Sequence, residues 1–310
     1  LFSYFCGMKD SRFLPHLASL AAMCIWGASY VWSTQVFETL QPGTTVLLRL
    51  LISSIFLGIV AFAFKFNEKI ARKDVKLFFL AAFFEPFLYF IGESYGLLRV
   101  SPTICSAIIA TIPLFAPFAA FFVLKERIGA KNIIGLVISF LGVIVMLINK
   151  DLELTASPTG ILFLSGAVLV AVCYSVALKK LADTYNPIMV VLTQNAIGIL
   201  YFIPFVLLAE RESLSGILQV GDYFVPLLNL GILASSCSYV FYTYSVRKLG
   251  VARSNVYTNI IPVFTAMFSY LLIREEITTF KAIGIVVVIV GLLLSQSKMP
   301  RKLKLEKNKS

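Results

Sequence analysis

"YGLLRVSPTICSAIIATIPLF", residues 95 to 115, and "YSVRKLGVARSNVYTNIIPVF", residues 244 to 264, repeat one another at a spacing of 149 residues. Tyr95 falls on Tyr244, Ile112 and Pro113 on Ile261 and Pro262, and Phe115 on Phe264. The register continues through Glu126 and Glu275, Gly135 and Gly284, and Gly142 and Gly291. Apolar residues coincide cheaply in an apolar chain. Proline, glutamate and paired glycines held in register do not, so the chain reads as two related halves.

Composition fixes what each half must be. Of 310 residues 59% are hydrophobic and 14% charged, with a mean hydropathy of +0.89, far from the roughly half-apolar, quarter-charged balance of water-soluble domains. Apolar stretches able to cross a hydrocarbon core ~30 Å thick recur from end to end. Their limits are 14–36, 45–64, 77–98, 101–124, 132–149, 158–178, 187–209, 223–246, 252–273 and 280–297. These ten predict an all-α membrane protein, because each can satisfy its own backbone as a helix in lipid. The breaks near 65–76 and 210–222 are too short to hold a receptor or catalytic domain. The expected organisation is a tail over 1–13, a five-helix repeat over 14–149, a second over 150–297 and a basic tail over 298–310. Since five is odd, the second repeat enters the membrane upside down relative to the first. Such inverted repeats are the architecture of alternating access, in which one site between two halves opens to either side in turn.

With the N-terminus placed inside, twenty-one of the 27 Lys and Arg residues fall on the inner side. Arg99, Lys150, Arg211, Arg274 and Lys281 fall on the outer side, and Arg49 alone lies within a span. The positive-inside rule then puts both termini in the cytoplasm, as in a multi-pass protein of the cell membrane such as the bacterial inner membrane. The net charge of +11 is mostly topology. It offers no folded basic surface for nucleic acid, and the tail "KMPRKLKLEKNKS" is expected to lie against anionic lipid. The first apolar stretch is too long for the core of a cleaved signal, and Met8, after "LFSYFCG", is the expected natural start.

Several activities lack the residues they require. Cys6, Cys24, Cys105, Cys173 and Cys237 have neither the spacing of a disulfide framework nor that of a zinc site, and His16 is the single histidine, so no metal or cofactor is expected. "GASY" at 27–30 contains Ser29, but His16 lies ~20 Å away along the same helix, too far for a nucleophile and its base. No Gly-rich nucleotide loop ending in Lys-Ser/Thr is present. An intramembrane enzyme and an ATP-driven pump are thereby excluded. The remaining alternatives to a carrier are a channel and a membrane signalling scaffold, and the inverted repeat favours the carrier.

Three stretches carry a resemblance: "WGASYVW" in the first helix, "LRLLISS" in the second, and the run from Tyr95 through "IPLFAPFAAFFVLKERIGAKNIIGLVISFLGVIVM", echoed by "IPVFTAMFSYLLIREEITTFKAIGIVVVIVGLLL". Over residues 14 to 297 the sequence resembles an EamA-type carrier of the drug/metabolite transporter superfamily. The resemblance implies a five-plus-five inverted repeat that moves amino acids or other small metabolites, often outward. The second half departs from the pattern with Arg-Glu-Glu in place of Lys-Glu-Arg, and its sixth helix lacks the Trp-Gly pair, which blurs any transfer of substrate by analogy.

The candidate site is read from polar residues near mid-bilayer. Pro113 and Pro262 each remove a backbone donor and strand the carbonyls of Ile109 and Thr258, so helices four and nine should bend there, either lining a wet cavity or simply packing. Asn255 and Asn259 stack on one face of helix nine, with Ser106 at the repeat position of Asn255; they bind a polar solute or hydrogen bond between helices. Trp26 is an aromatic wall or a packing wedge. In "FFEPFLYFIGES", residues 83 to 94, Glu93 reaches the depth of Arg49, and the two are expected to form an ion pair that also serves as a gate. Glu85 has no such cation. It is expected either to carry a proton or bind a substrate's ammonium group, with Tyr89 beside it, or to be hydrogen bonded to Tyr89 or to the carbonyl freed by Pro86. A zwitterionic or cationic small molecule suits this set, while the aromatic abundance would also tolerate a nucleoside-like or drug-like solute. Gly135, Ser139 and Gly142, with Gly284 and Gly291, allow close helix approach within the bundle or between the subunits of a homodimer. Glu126 and Glu275 are expected to cap the following helix or pair with Lys125, Arg127 or Arg274.

Overall fold

A computed structural model describes residues 13–66, 68–115, 130–147, 156–218 and 221–296. The "LKERIG" segment with Glu126, Cys6, Met8 and the basic C-terminal tail lie outside the described residues. The helices are α1 (Leu14–Phe37), α2 (Pro42–Ala63), α3 (Arg72–Leu97), α4 (Pro102–Phe115), α5 (Ala130–Leu147), α6 (Pro158–Thr184), α7 (Pro187–Ala209), α8 (Phe224–Leu249), α9 (Arg253–Ile273) and α10 (Thr279–Gln296). Seven of them are long and apolar enough to cross a membrane, and α4, α5 and α10 have shorter apolar stretches. No strand occurs among the described residues.

Local chemistry sets the ends. Proline opens α2, α4, α6 and α7, where its missing N–H has no intrahelical partner to lose. Asn186 caps α7 by accepting from Ile188 N at 2.9 Å. Gly250, at φ 85°, closes α8, a conformation that a side chain would strain. Helix α6 runs on past the expected end at 178 to Thr184, because Lys179 and Lys180 extend the helix beyond the apolar stretch and Lys179 pairs with Asp183 one turn later at 2.6 Å.

The two halves pack as mates. Helix α3 packs on α6, and its counterpart α8 packs on α1; α1 packs on α9, and its counterpart α6 packs on α4. The self-paired contacts give the orientation. Ser139 Oγ donates to Val288 O at 2.9 Å, and a side chain added at Gly142 would strike Gly284 while one added at Gly291 would strike Gly135. Residues thus rise along α5 as they fall along α10. The same holds for α2 and α7: Ser53 meets Asn195, Leu50 lies against Gly198, and Gly43 meets Glu210. Equivalent helices of the two halves therefore run antiparallel, which is the inverted repeat. The glycine seam joins α5 to α10 within one chain, so the small residues serve the bundle.

Carboxylates tie the ends of these pairs. Just beyond α7, Glu210 is 1% exposed and accepts from Gly43 N (2.8 Å), Thr44 N (2.7 Å), Thr44 Oγ1 (2.9 Å) and the Tyr95 hydroxyl (2.5 Å). It thereby caps the N-terminus of α2 with a charge that suits the helix dipole. Glu68, beyond α2, likewise accepts from Asn186 N at the start of α7, at 2.6 Å. Nearby, the Tyr185 hydroxyl donates to Asp74 at 2.7 Å, a bond that holds the phenol above its ordinary value. Lys125 and Arg127 lie outside the described residues, and among those described Glu275 does not pair with Arg274. It pairs with Lys281 at 2.9 Å and accepts from Thr103 Oγ1 at 2.9 Å, because the tight turn after α9 folds it back over the start of α4.

Candidate functional site

A cavity lined by residues of both halves lies between them. Its wall comes from α1 to α4 and from α6, α8 and α9. Among the described residues, those of α5 and α10 contribute nothing to it.

The wall is built where helices lose regularity. Helix α4 breaks at Ala110–Thr111, just before Pro113, and α9 tightens to a 3₁₀ turn over Val256–Ile260, just before Pro262. The two breaks occupy equivalent repeat positions, and Ile109, Ile112, Thr258 and Ile261 beside them line the cavity. A second pair was not expected from sequence: α3 is π-helical over Phe83–Leu88 and α8 over Leu230–Ser238. In α3 the cause is local. Glu85 precedes Pro86, which disfavours a helical backbone, and Glu85 takes φ −143°, ψ 117°. Glu85 therefore does not stack one regular turn below Tyr89, as a continuous helix over 77–98 would place it.

Glu85 lines the cavity and accepts the Tyr239 hydroxyl at 2.5 Å. Its partner is thus a residue of the opposite half, rather than Tyr89 or the carbonyl freed by Pro86. Tyr89, one regular turn before Glu93, donates to Glu93 at 2.7 Å. The expected Arg49–Glu93 ion pair does not form. Both residues line the cavity, but Arg49 Nε donates to Ser235 Oγ at 2.7 Å and its guanidinium lies 4.4 Å from the centre of the Phe90 ring. The π-helical stretch of α8 brings Ser235 to Arg49, while the helical i,i+4 geometry of α3 gives Glu93 the nearer donor.

Trp26 stands in the wall, its ring centre 5.0 Å from Tyr239 and 5.3 Å from Tyr242, and its indole N–H reaches Ala234 O at 3.3 Å. Asn255 is also in the wall and accepts the Tyr242 hydroxyl, leaving its amide nitrogen unpaired. Asn259 is buried outside the wall, with neither end of its amide bonded. Ser106 is not brought to the cavity. Its hydroxyl donates to Thr103 O in its own helix at 2.9 Å, as helical serines do.

Sequence reasoning missed Tyr239, Tyr242, Tyr174 and Tyr30, all of which line the cavity. The repeat held the signal for two of them: the spacing of 149 residues that pairs the halves carries Phe90 to Tyr239 and Glu93 to Tyr242. Phe90 and Tyr239 meet face to edge across the cavity axis, 6.3 Å apart.

An inverted helical repeat enclosing a cavity with a few charged and polar residues at paired helix breaks is a build found in membrane transporters. The chain belongs to the EamA-like transporter family, whose model matches residues 14–148 and 158–296. It is similar to an uncharacterized transporter, YetK, of Bacillus subtilis (strain 168), at 24% identity over 93% of each chain. It is also similar to an uncharacterized transporter of Archaeoglobus fulgidus, at 26% identity over 87% of this chain and 94% of that one. With an uncharacterized inner membrane transporter, YhbE, of Escherichia coli (strain K12), it shares 27% identity over 93% of this chain and 92% of that one. A solved crystal structure shares the fold, with a TM-score of 0.69 at 17% identity, covering 92% of this chain and 96% of that one. The protein is therefore a multi-pass membrane transporter of small molecules in the drug/metabolite transporter superfamily.

Proposed function

We propose that the protein is a secondary carrier of small polar metabolites that works by alternating access, with Glu85 taking up a proton or a substrate ammonium group. The observation that carries this reading is the Glu85–Tyr239 hydrogen bond, which joins the two halves inside the cavity. Any motion of one half against the other must stretch or break it, and a cation or proton on Glu85 changes what Tyr239 donates to, so occupancy of the site and the relation of the halves are linked.

Contacts at the two mouths fit this scheme. At one face Glu210 binds α2 and α3 to the end of α7, and Glu275 binds α4 to the α9–α10 turn. At the other face His16 Nδ1 meets the Tyr257 hydroxyl at 2.5 Å and Ser245 Oγ donates to Pro15 O at 2.7 Å, joining α1 to α8 and α9. Alternating access requires these two sets to loosen in turn. The excess of Lys and Arg at the face where α1 begins supports a cytoplasmic location for both chain ends in a cell membrane.

The test is reconstitution into liposomes with an imposed pH gradient and labelled amino acids and related amines as solutes. Wild-type flux should be saturable and should respond to the gradient, and Glu85→Gln should lower gradient-driven flux by about tenfold or more. Glu85→Gln with unaltered rate and unaltered pH dependence would contradict the role given to Glu85.

A further inference from the structure

Among the described residues Arg49 is the only Lys or Arg lining the cavity, where Glu85 and Glu93 are the only acids. It is 3% exposed and lies at membrane depth, where an arginine without a carboxylate partner is heavily penalised. Neither acid is in direct contact with it; each accepts a tyrosine hydroxyl instead. Among the described residues its hydrogen bonding uses Nε alone, on Ser235 Oγ at 2.7 Å, while its guanidinium rests over Phe90. The two terminal nitrogens are left, and their planar fork matches the two oxygens of a carboxylate.

The surroundings hold this group in place. Asn195 Nδ2 donates to Ser53 Oγ at 2.7 Å and to Ser235 O at 3.3 Å, and the Ser53 and Ser236 hydroxyls are 2.7 Å apart. This buried polar seam of α2, α7 and α8 fixes Ser235, and Ser235 fixes Arg49. Such preorganisation lowers the ordering cost of binding a ligand.

We propose that Arg49 is the anchor for a carboxylate on the transported solute, and that the cargo is a small zwitterion whose ammonium group faces Glu85 or Glu93. A simple amine would leave the arginine's terminal nitrogens without an acceptor, and a simple anion would meet two acids. The rings of Trp26, Tyr239 and Tyr242 suit an apolar body between the charged ends. The assignment rests on the carrier reading, which supplies the need for a solute in this cavity.

Thermal melting of the purified protein in detergent tests it, with L-alanine, L-leucine and L-phenylalanine as zwitterions and ethylamine, isoamylamine and 2-phenylethylamine as the matched amines without a carboxylate. At least one zwitterion should stabilise the wild type and its amine should not. Arg49→Gln should raise the half-saturating concentration by about tenfold or more, and Arg49→Lys by less. Should Arg49→Gln fail to fold, Ser235→Ala, which keeps the charge and removes its orienting bond, should still weaken the zwitterion. The proposal is overturned if no zwitterion stabilises, if the amines act equally, or if these variants bind the zwitterion as the wild type does. Flux in liposomes separates the two readings. Zwitterion binding without flux sinks the carrier and leaves the anchor, and zwitterion flux indifferent to Arg49→Gln sinks the anchor and leaves the carrier.

Discussion

Individual side chains take roles here from what the opposite half offers them. Glu85 and Arg49 are each first-half residues, and each finds its hydrogen-bond partner, Tyr239 or Ser235, in α8. Outside the spans, Glu275 shows the same dependence on distant partners. Burial pushes its carboxyl up, but the hydrogen bond and charge of Lys281, with the hydroxyls of Ser101 and Thr103, outweigh burial and hold it below its ordinary value. A carboxyl held low contributes stability that is present above its unfolded value, about 4.3, and is lost as pH falls through the folded one. Melting curves should therefore show an acid-side loss below about pH 4. Glu275→Gln should flatten that loss and lower the neutral-pH melting temperature by roughly 2–4 °C. An acid limb identical in the two proteins would show that the clasp over α4 contributes nothing.

Elements come in matched pairs, and the pairs divide the labour. Helices α5 and α10 hold the halves together through backbone contact, whereas α3 with α8 and α4 with α9 carry the irregular turns that line the cavity. A Cβ at Gly291 would lie 2.5 Å from Ser139 N and 2.7 Å from Gly135 O, so Gly291→Ala must push α10 off α5. The expected loss is about 1–3 kcal/mol, read as earlier unfolding in detergent, and the same change at Gly58, which has open space around it, should be near neutral. Proline marks in the sequence where α4 and α9 break, because a missing donor is written there. The π-helical turn of α8 has no proline at all, and its only trace is the repeat relation to Glu85 and Pro86 in α3. Helix ends beyond the apolar stretch, as at Lys179 and Asp183, were likewise invisible to a reading based on hydropathy. The residues of the site were partly legible for the same reason. Glu85, Arg49 and Glu93 stand out because charge in a span is rare, but which of them would bond to which depended on side-chain geometry across two halves that share no local sequence signal.

At the scale of the whole molecule, the antiparallel packing of α2 on α7 and of α5 on α10 makes the cavity a boundary between two oppositely inserted units. Across this boundary run the Glu85–Tyr239 bond inside the cavity and further hydrogen bonds at each end of the bundle. The proposed alternating access requires a pair of states, one open to each side, and with it a kinetic signature: a carrier that turns over with solute bound exchanges label across the membrane faster than it returns empty, while a channel has no such step. The measurement that bears on this most directly is counterflow in liposomes loaded with unlabelled zwitterionic solute and diluted into trace label. A transient accumulation of label above its equilibrium level, saturable in the internal solute, is the expected result. Label that only equilibrates, at a rate indifferent to what is loaded inside, would contradict alternating access through this cavity.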